Sequence, residues 1–157
     1  MSILESFFFS KITGEEYICL LCNAREIKIE DLDEKNIFDL PLNKYVSSYS
    51  TWMKKKLALL AVLLQNNQFY IFDEPFNGVD IESNLVITEI IKELKKLGKT
   101  ILISSHIFST LNDTCDEIIM LKKGVISSVT SKENFSHLEK EMKLMIVGDK
   151  VKNLKLV

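Results

Sequence analysis

At 157 residues, with 46% hydrophobic and 27% charged side chains, the chain has the size and balance of one globular domain with a real core. A formal net charge of -2 excludes a whole-protein basic field for nucleic acid or an anionic membrane. The longest apolar run, Leu57 to Leu64, is too short to span a bilayer, and an odd cysteine count of 3 argues against a disulfide framework.

The start, MSILESFFFSK, has neither a basic n-region nor a small-residue cleavage site, so it does not read as a signal peptide and a cytoplasmic setting is expected. Thr13-Gly14-Glu15-Glu16 has the T-x-x-E form of a capping box, which predicts a helix running to about Arg25. Cys19 and Cys22 form a C-x-x-C within it at helical spacing. A zinc site needs two more ligands, and Cys115 with His106 or His137 offers no second pair, so packed thiols are expected. A short acidic helix is expected around Ile29 to Phe38, stopped by Pro41. After a polar loop, Ser47 to Thr51, the run MKKKLALLAVLLQNN reads as a helix entering the core, its lysines a solvated first turn.

Strand and helix then alternate. Gln68 to Phe72 reads as a short strand, Ile81 to Leu97 as an amphipathic helix with Ile87, Ile90, Ile91, Leu94 and Leu97 on one stripe, and Gly98 as its stop. Thr100 to Ser104 reads as a second buried strand and Ile107 to Thr114 as a short helix. Glu117 to Leu121 and Val125 to Val129 flank Lys122-Lys123-Gly124 as a hairpin. Ser131 to Asn134 would start another helix, followed by a strand near Lys143 to Val147. Strand, helix, strand with short links predicts an α/β fold with a parallel sheet and right-handed crossovers.

In open α/β sheets, chemistry gathers beyond the carboxyl ends of the strands. Asp73-Glu74 lies at one such end and Ser104-Ser105-His106 at the next. An acid suited to Mg²⁺, a second suited to a water proton, and an imidazole make a set for phosphoanhydride hydrolysis. The plainer alternative is a loop carrying a solvated acid pair.

FYIFDEP resembles the Walker B motif of ABC-type ATPases. FNGVD resembles their D-loop, ILISSH their switch-histidine segment, and YSTWMKKKLALLAVLL aligns without gaps on their signature and its helix. The resemblance covers about Ile12 to Val129 and implies a partial P-loop NTPase fold. A helical signature subdomain is expected over about 13–66, a Walker B, D-loop and switch-histidine part of the core over about 67–130, and a C-terminal extension over about 131–157. It implies ATP and Mg²⁺ as cofactors. Asp73 would hold the metal through water, Glu74 would act as general base, and His106 would contact the γ-phosphate. Ser50, Thr51, Trp52 and Met53 would reach the nucleotide of an opposite subunit, and Asp80 would lie at the dimer interface.

The chain departs from that family in two places. It has no G-x-x-x-x-G-K-[ST] loop to cradle phosphates; Gly98-Lys99-Thr100 has Glu93 where the first glycine belongs and lies between a helix and a strand, the reverse of the required order. Ile3 to Ser6 would be a Q-loop remnant, with Glu5 in the glutamine's place. In the signature, Ser50-Thr51-Trp52-Met53 stands where S-G-G-Q is usual, so Trp52 takes the place of the second glycine, where a bare backbone is useful for close approach to a phosphate. The indole would either block that approach or turn to solvent, and obstruction is the expectation. The leading expectation is an ATPase subunit of an ABC transporter, inactive as this chain alone. Its expected partners are a second ATPase subunit, head to tail, and a transmembrane permease on the inner face of the membrane. The alternative is a non-hydrolysing interaction or regulatory fragment. An ABC-type ATPase acting on DNA or ribosomes finds no basic, aromatic-interleaved stripe, so no nucleic-acid partner is expected.

Overall fold

The computed structural model describes residues 11–146, so the expected Q-loop remnant at Ile3 to Ser6 and the last residue of the strand expected near Lys143 to Val147 lie outside the described residues. The described residues fall into two compact units, one ending at Ser105 and one beginning at His106.

The first unit opens with α1 (Gly14–Asn23). Its capping box forms as its residues require: the Glu16 N–H donates to Thr13 Oγ1 at 3.2 Å and the Thr13 N–H donates to Glu16 Oε2 at 2.8 Å. These bonds, the backbone one first, hold the Glu16 carboxyl below its usual range. Helix α2 (Thr51–Leu64) packs against α1, and Tyr17, Ile18, Cys22, Val46, Leu57, Leu60 and Ala61 share one buried cluster. Cys22 is thus a packed thiol, and burial pushes its pKa up.

No helix forms over residues 29–38, contrary to expectation. The segment is a series of single turns, with Lys35 N–H donating to Asp31 O and Asn36 N–H to Asp33 O, each at 3.2 Å. Asp31 (φ 54°) and Asp39 (φ 50°) adopt the left-handed region, which breaks helical continuity at both ends. The Asn36 side chain bridges the backbone of Leu40, accepting from its N–H at 3.1 Å and donating to its oxygen at 2.8 Å. Short polar side chains compete with the helix in this way, while Ile29, Leu32 and Phe38 still pack on the α1–α2 cluster.

Strand β1 (Phe69–Asp73), helix α3 (Ile81–Lys96) and strand β2 (Thr100–Ser104) follow as a crossover unit. The strands pair in parallel, with Phe69 opposite Thr100 and Asp73 opposite Ser104. One face carries Tyr70 and Phe72, both 2% exposed. The other bears Phe69, Ile71 and Leu102, exposed by 72%, 60% and 58%, although parallel sheets are ordinarily covered on both faces. Along α3, Ile87, Ile91 and Leu94 are buried and Ile90 half-buried, whereas Leu97, expected on the same stripe, is exposed. Leu97 is the C-cap, where the chain leaves the helical path. Gly98 (φ 71°) donates to Lys95 O and Lys99 to Leu94 O, a Schellman ending. The Gly-Lys-Thr triplet is therefore a helix stop.

The second unit contains α4 (Phe108–Thr114), the antiparallel strands β3 (Glu117–Lys122) and β4 (Val125–Ser131), and α5 (Phe135–Ile146). The hairpin turns at Lys123 (φ 51°) and Gly124 (φ 80°), the two positive φ values that a two-residue turn of type I′ requires. Ile118, Phe135 and Leu138 form its core, with Phe108, Leu111, Cys115, Met120 and Met142 packed around them. The strand expected near Lys143 is not formed, because residues 143–146 continue α5. Phe135, Leu138 and Met142 have helical spacing, and Glu139–Lys143 at 2.6 Å is an i,i+4 ion pair on that helix.

Candidate functional site

The acid pair emerges where β1 ends, and its neighbour in register organises it. The Ser104 hydroxyl donates to Asp73 Oδ1. The Glu74 N–H donates to Ser104 O at 3.1 Å and to Ser104 Oγ at 3.0 Å. Glu74 has φ 46°, a left-handed conformation that a non-glycine residue adopts at a cost, and the shared donor bond to Ser104 holds it there. Ser104 was visible in sequence only as the end of a strand. The signal that could have found it is a hydroxyl residue in parallel register with the first acid. His106 follows Ser104 by two residues in the chain and opens the second unit.

Beyond the acids the chain turns, with the Asn77 N–H donating to Glu74 O at 3.1 Å and Phe76 3% exposed. It then enters α3 through Asp80, the N-cap. Asp80 Oδ1 accepts from the Ser83 N–H at 2.8 Å, and Oδ2 accepts from Ser83 Oγ at 3.0 Å and from Trp52 Nε1 at 3.1 Å. These donors, the Ser83 N–H foremost, hold the Asp80 carboxyl below its usual range. Since the folded-state value is the lower one, this stabilisation is present above the ordinary aspartate range, about pH 4, and is lost as pH falls through the folded value. The melting temperature should therefore drop less between pH 7 and acid in Asp80→Asn than in the native chain, as thermal unfolding followed by circular dichroism will read.

Ser50 is the N-cap of α2, its Oγ accepting from the Met53 N–H at 3.1 Å. The loop before it is pinned by the buried Tyr49, whose hydroxyl donates to Pro41 O at 2.8 Å. Thr51 is exposed; Trp52 and Met53 are half-buried. The lysines that follow do more than meet solvent: Lys55 Nζ donates to Asn77 O at 3.1 Å and lies 5.4 Å from the Trp52 ring centre, and Lys56 sits 5.8 Å from that of Phe38. Trp52, Lys55 and Leu59 of α2 line a shallow recess with Glu74, Pro75 and Ile87. The start of α2 and the loop after β1 thus adjoin one another.

Among the described residues no group of three or more His, Cys, Asp or Glu side chains converges on one point. Magnesium does not need such a cage, since it ordinarily takes one or two carboxylates together with waters and phosphate oxygens. The half-buried Asp73 carboxylate at the strand end, with the Ser104 hydroxyl beside it, supplies oxygen donors of the required kind. No helix among the described residues is long and apolar enough to cross a membrane.

No protein-family model matches the chain. It is similar to the ABC transporter ATP-binding protein NatA of Bacillus subtilis (strain 168), 38% identical over 106 residues that make up 66% of this chain and 43% of that protein. It is also similar to a putative ABC transporter ATP-binding protein, PF0528, of Pyrococcus furiosus, 36% identical over 56% of this chain and 32% of that one. A solved ATP-binding subunit of an ABC transporter shares its fold with a TM-score of 0.73 at 24% identity, over 88% of this chain and 61% of its own. A second, the dimeric ATP-binding cassette MJ0796 bound to ADP and Pi, gives 0.70 at 19% identity, over 83% and 62%. The chain spans less than half the length of these curated relatives and about three fifths of these structures.

Proposed function

We propose that this chain, a member of the ABC-type ATPase family, is the signature- and acid-bearing part of an ATP-hydrolysing subunit of an ABC transporter. The observation that carries the reading is the arrangement of Asp73 and Glu74 around Ser104 at the carboxyl ends of two parallel strands. Asp73 would hold Mg²⁺ through water, and Glu74 would accept a proton from the attacking water. Bound there with ATP, the metal supplies charge neutralisation on the phosphate oxygens. His106 would contact the γ-phosphate. Ser50 to Met53, at the start of α2, would meet the nucleotide of a second ATPase subunit, with Asp80 at the same interface. The permease would be a separate chain, which puts the subunit on the cytoplasmic side of the membrane.

No phosphate-cradling loop is present in the sequence, so ATP binding would depend on a glycine-rich segment joined to it or supplied by another chain. The uncovered apolar face at Phe69, Ile71 and Leu102 supports this, as a surface on which further strands or helices of an ATPase domain would pack. The missing loop also favours a second reading, a non-hydrolysing interaction module. The two readings part at the metal. In a domain completed with the phosphate-binding segment of a relative, electron paramagnetic resonance should detect Mn²⁺ binding that requires ATP. Asp73→Ala should weaken that binding at least about tenfold, the loss of roughly 1.4 kcal/mol. Equal Mn²⁺ binding by native and Asp73→Ala domains would favour the module.

A further inference from the structure

Trp52 takes the place of the second glycine of the signature pattern, and the structure gives its indole a partner 28 positions along the chain. Trp52 Nε1 donates to Asp80 Oδ2 at 3.1 Å. One turn along α2, Lys55 lies 5.4 Å from the ring centre and donates to Asn77 O at 3.1 Å. Two side chains of one helical turn therefore hold the middle and the far end of the segment that leads from the second acid towards α3. An indole suits this task, because it is rigid, has only two side-chain torsions to fix, and carries a single donor at its edge. The acceptor is equally committed: Asp80 Oδ1 caps the Ser83 N–H at 2.8 Å, which leaves Oδ2 for the Ser83 hydroxyl and the indole.

We propose that Trp52 is a positioning residue that latches the first turn of α2 to the loop between the acid pair and α3, so that residues 50–55 and 74–80 move as one body. Lys55 makes the second tie, to the middle of the loop. The proposal deepens the ATPase reading, in which both segments meet a second subunit: a displacement of the α2 start by a partner's nucleotide would be passed directly to the loop that begins at Glu74. It stands on contacts within this chain and needs no nucleotide to be tested.

Trp52 is the only tryptophan in the sequence, so a ¹⁵N-labelled sample of the full chain gives one indole cross-peak, assigned by inspection. Asp80→Asn keeps an oxygen to cap Ser83 but places an amide NH₂ where Oδ2 accepted the indole. The expected result is a shifted indole cross-peak whose exchange with water speeds roughly ten- to a hundredfold, the factor that follows from losing one hydrogen bond to a charged group. Amide cross-peaks of residues 51–54 and 76–80 should shift together. Trp52→Phe, which keeps the ring and removes only the donor, should shift the amides of 76–80 in the same way and decides the matter if Asp80→Asn does not fold. An unchanged indole exchange rate in a folded Asp80→Asn chain, or unchanged 76–80 amides in Trp52→Phe, would overturn the latch. Neither outcome depends on ATP, so a failed latch leaves the ATPase reading standing, and a chain that proved not to be an ATPase could still be latched.

Discussion

Glu74→Gln should lower ATP turnover of a completed domain by about 10²–10⁴-fold, the range a positioned general base contributes. The backbone of Glu74 is held by Ser104 whatever its side chain, since the two bonds at 3.1 and 3.0 Å run from its N–H. Glutamine has nearly the same size and would sit in the same place. It removes only the capacity to take a proton, so the loss belongs in kcat, with KM for ATP little changed. Steady-state kinetics of the two domains reads this directly. Comparable loss in kcat and a large rise in KM would indicate instead that Glu74 contributes to binding.

Leu57→Ala should destabilise the first unit by about 2–5 kcal/mol, a large part of the 5–15 kcal/mol that holds a typical domain. Leu57 is 0% exposed and packs in one cluster with Ile18, Val46 and Leu60, which join α1, the 3₁₀ turn at Val46–Ser48 and α2. Removing its methyl groups leaves a cavity that three separate elements would have to close. Urea unfolding should show a lower midpoint with an unchanged slope. Leu20→Ala, on the exposed side of α1 at 47%, is the control and should cost about 0.5 kcal/mol or less.

The elements that were legible in the sequence are those whose signals are local. The Thr13–Glu16 capping box, the Gly98 stop and the Lys123-Gly124 turn each depend on a few adjacent residues, and each forms as read. The parallel pairing of β1 and β2 was legible because a helix of amphipathic spacing separates two short apolar runs. Where two local signals conflicted, the reading failed. Residues 29–38 have apolar residues near helical spacing but also aspartates and an asparagine that prefer turns, and the turns prevailed. At residues 143–146 a β-prone run lost to the helical stripe of Phe135, Leu138 and Met142. In the candidate site, Asp73 and Glu74 were proposed from their motif, whereas the serine bonded to both had no such signal. Trp52 stood out only as a departure; its bond to Asp80 joins residues that nothing in the linear pattern connects.

If these residues form the proposed ATPase edge without a phosphate cradle in this sequence, calorimetric titration of Mg·ATP will read it most directly. Titrated into the 157-residue chain by itself, Mg·ATP should give no saturable heat at micromolar concentrations, because backbone N–H groups and a lysine of the absent loop supply most phosphate contacts. Titrated into the same chain joined to a relative's glycine-rich segment, it should bind in the micromolar range. Micromolar binding by the chain alone would show that the phosphates are held without a glycine-rich loop and would overturn the proposed role.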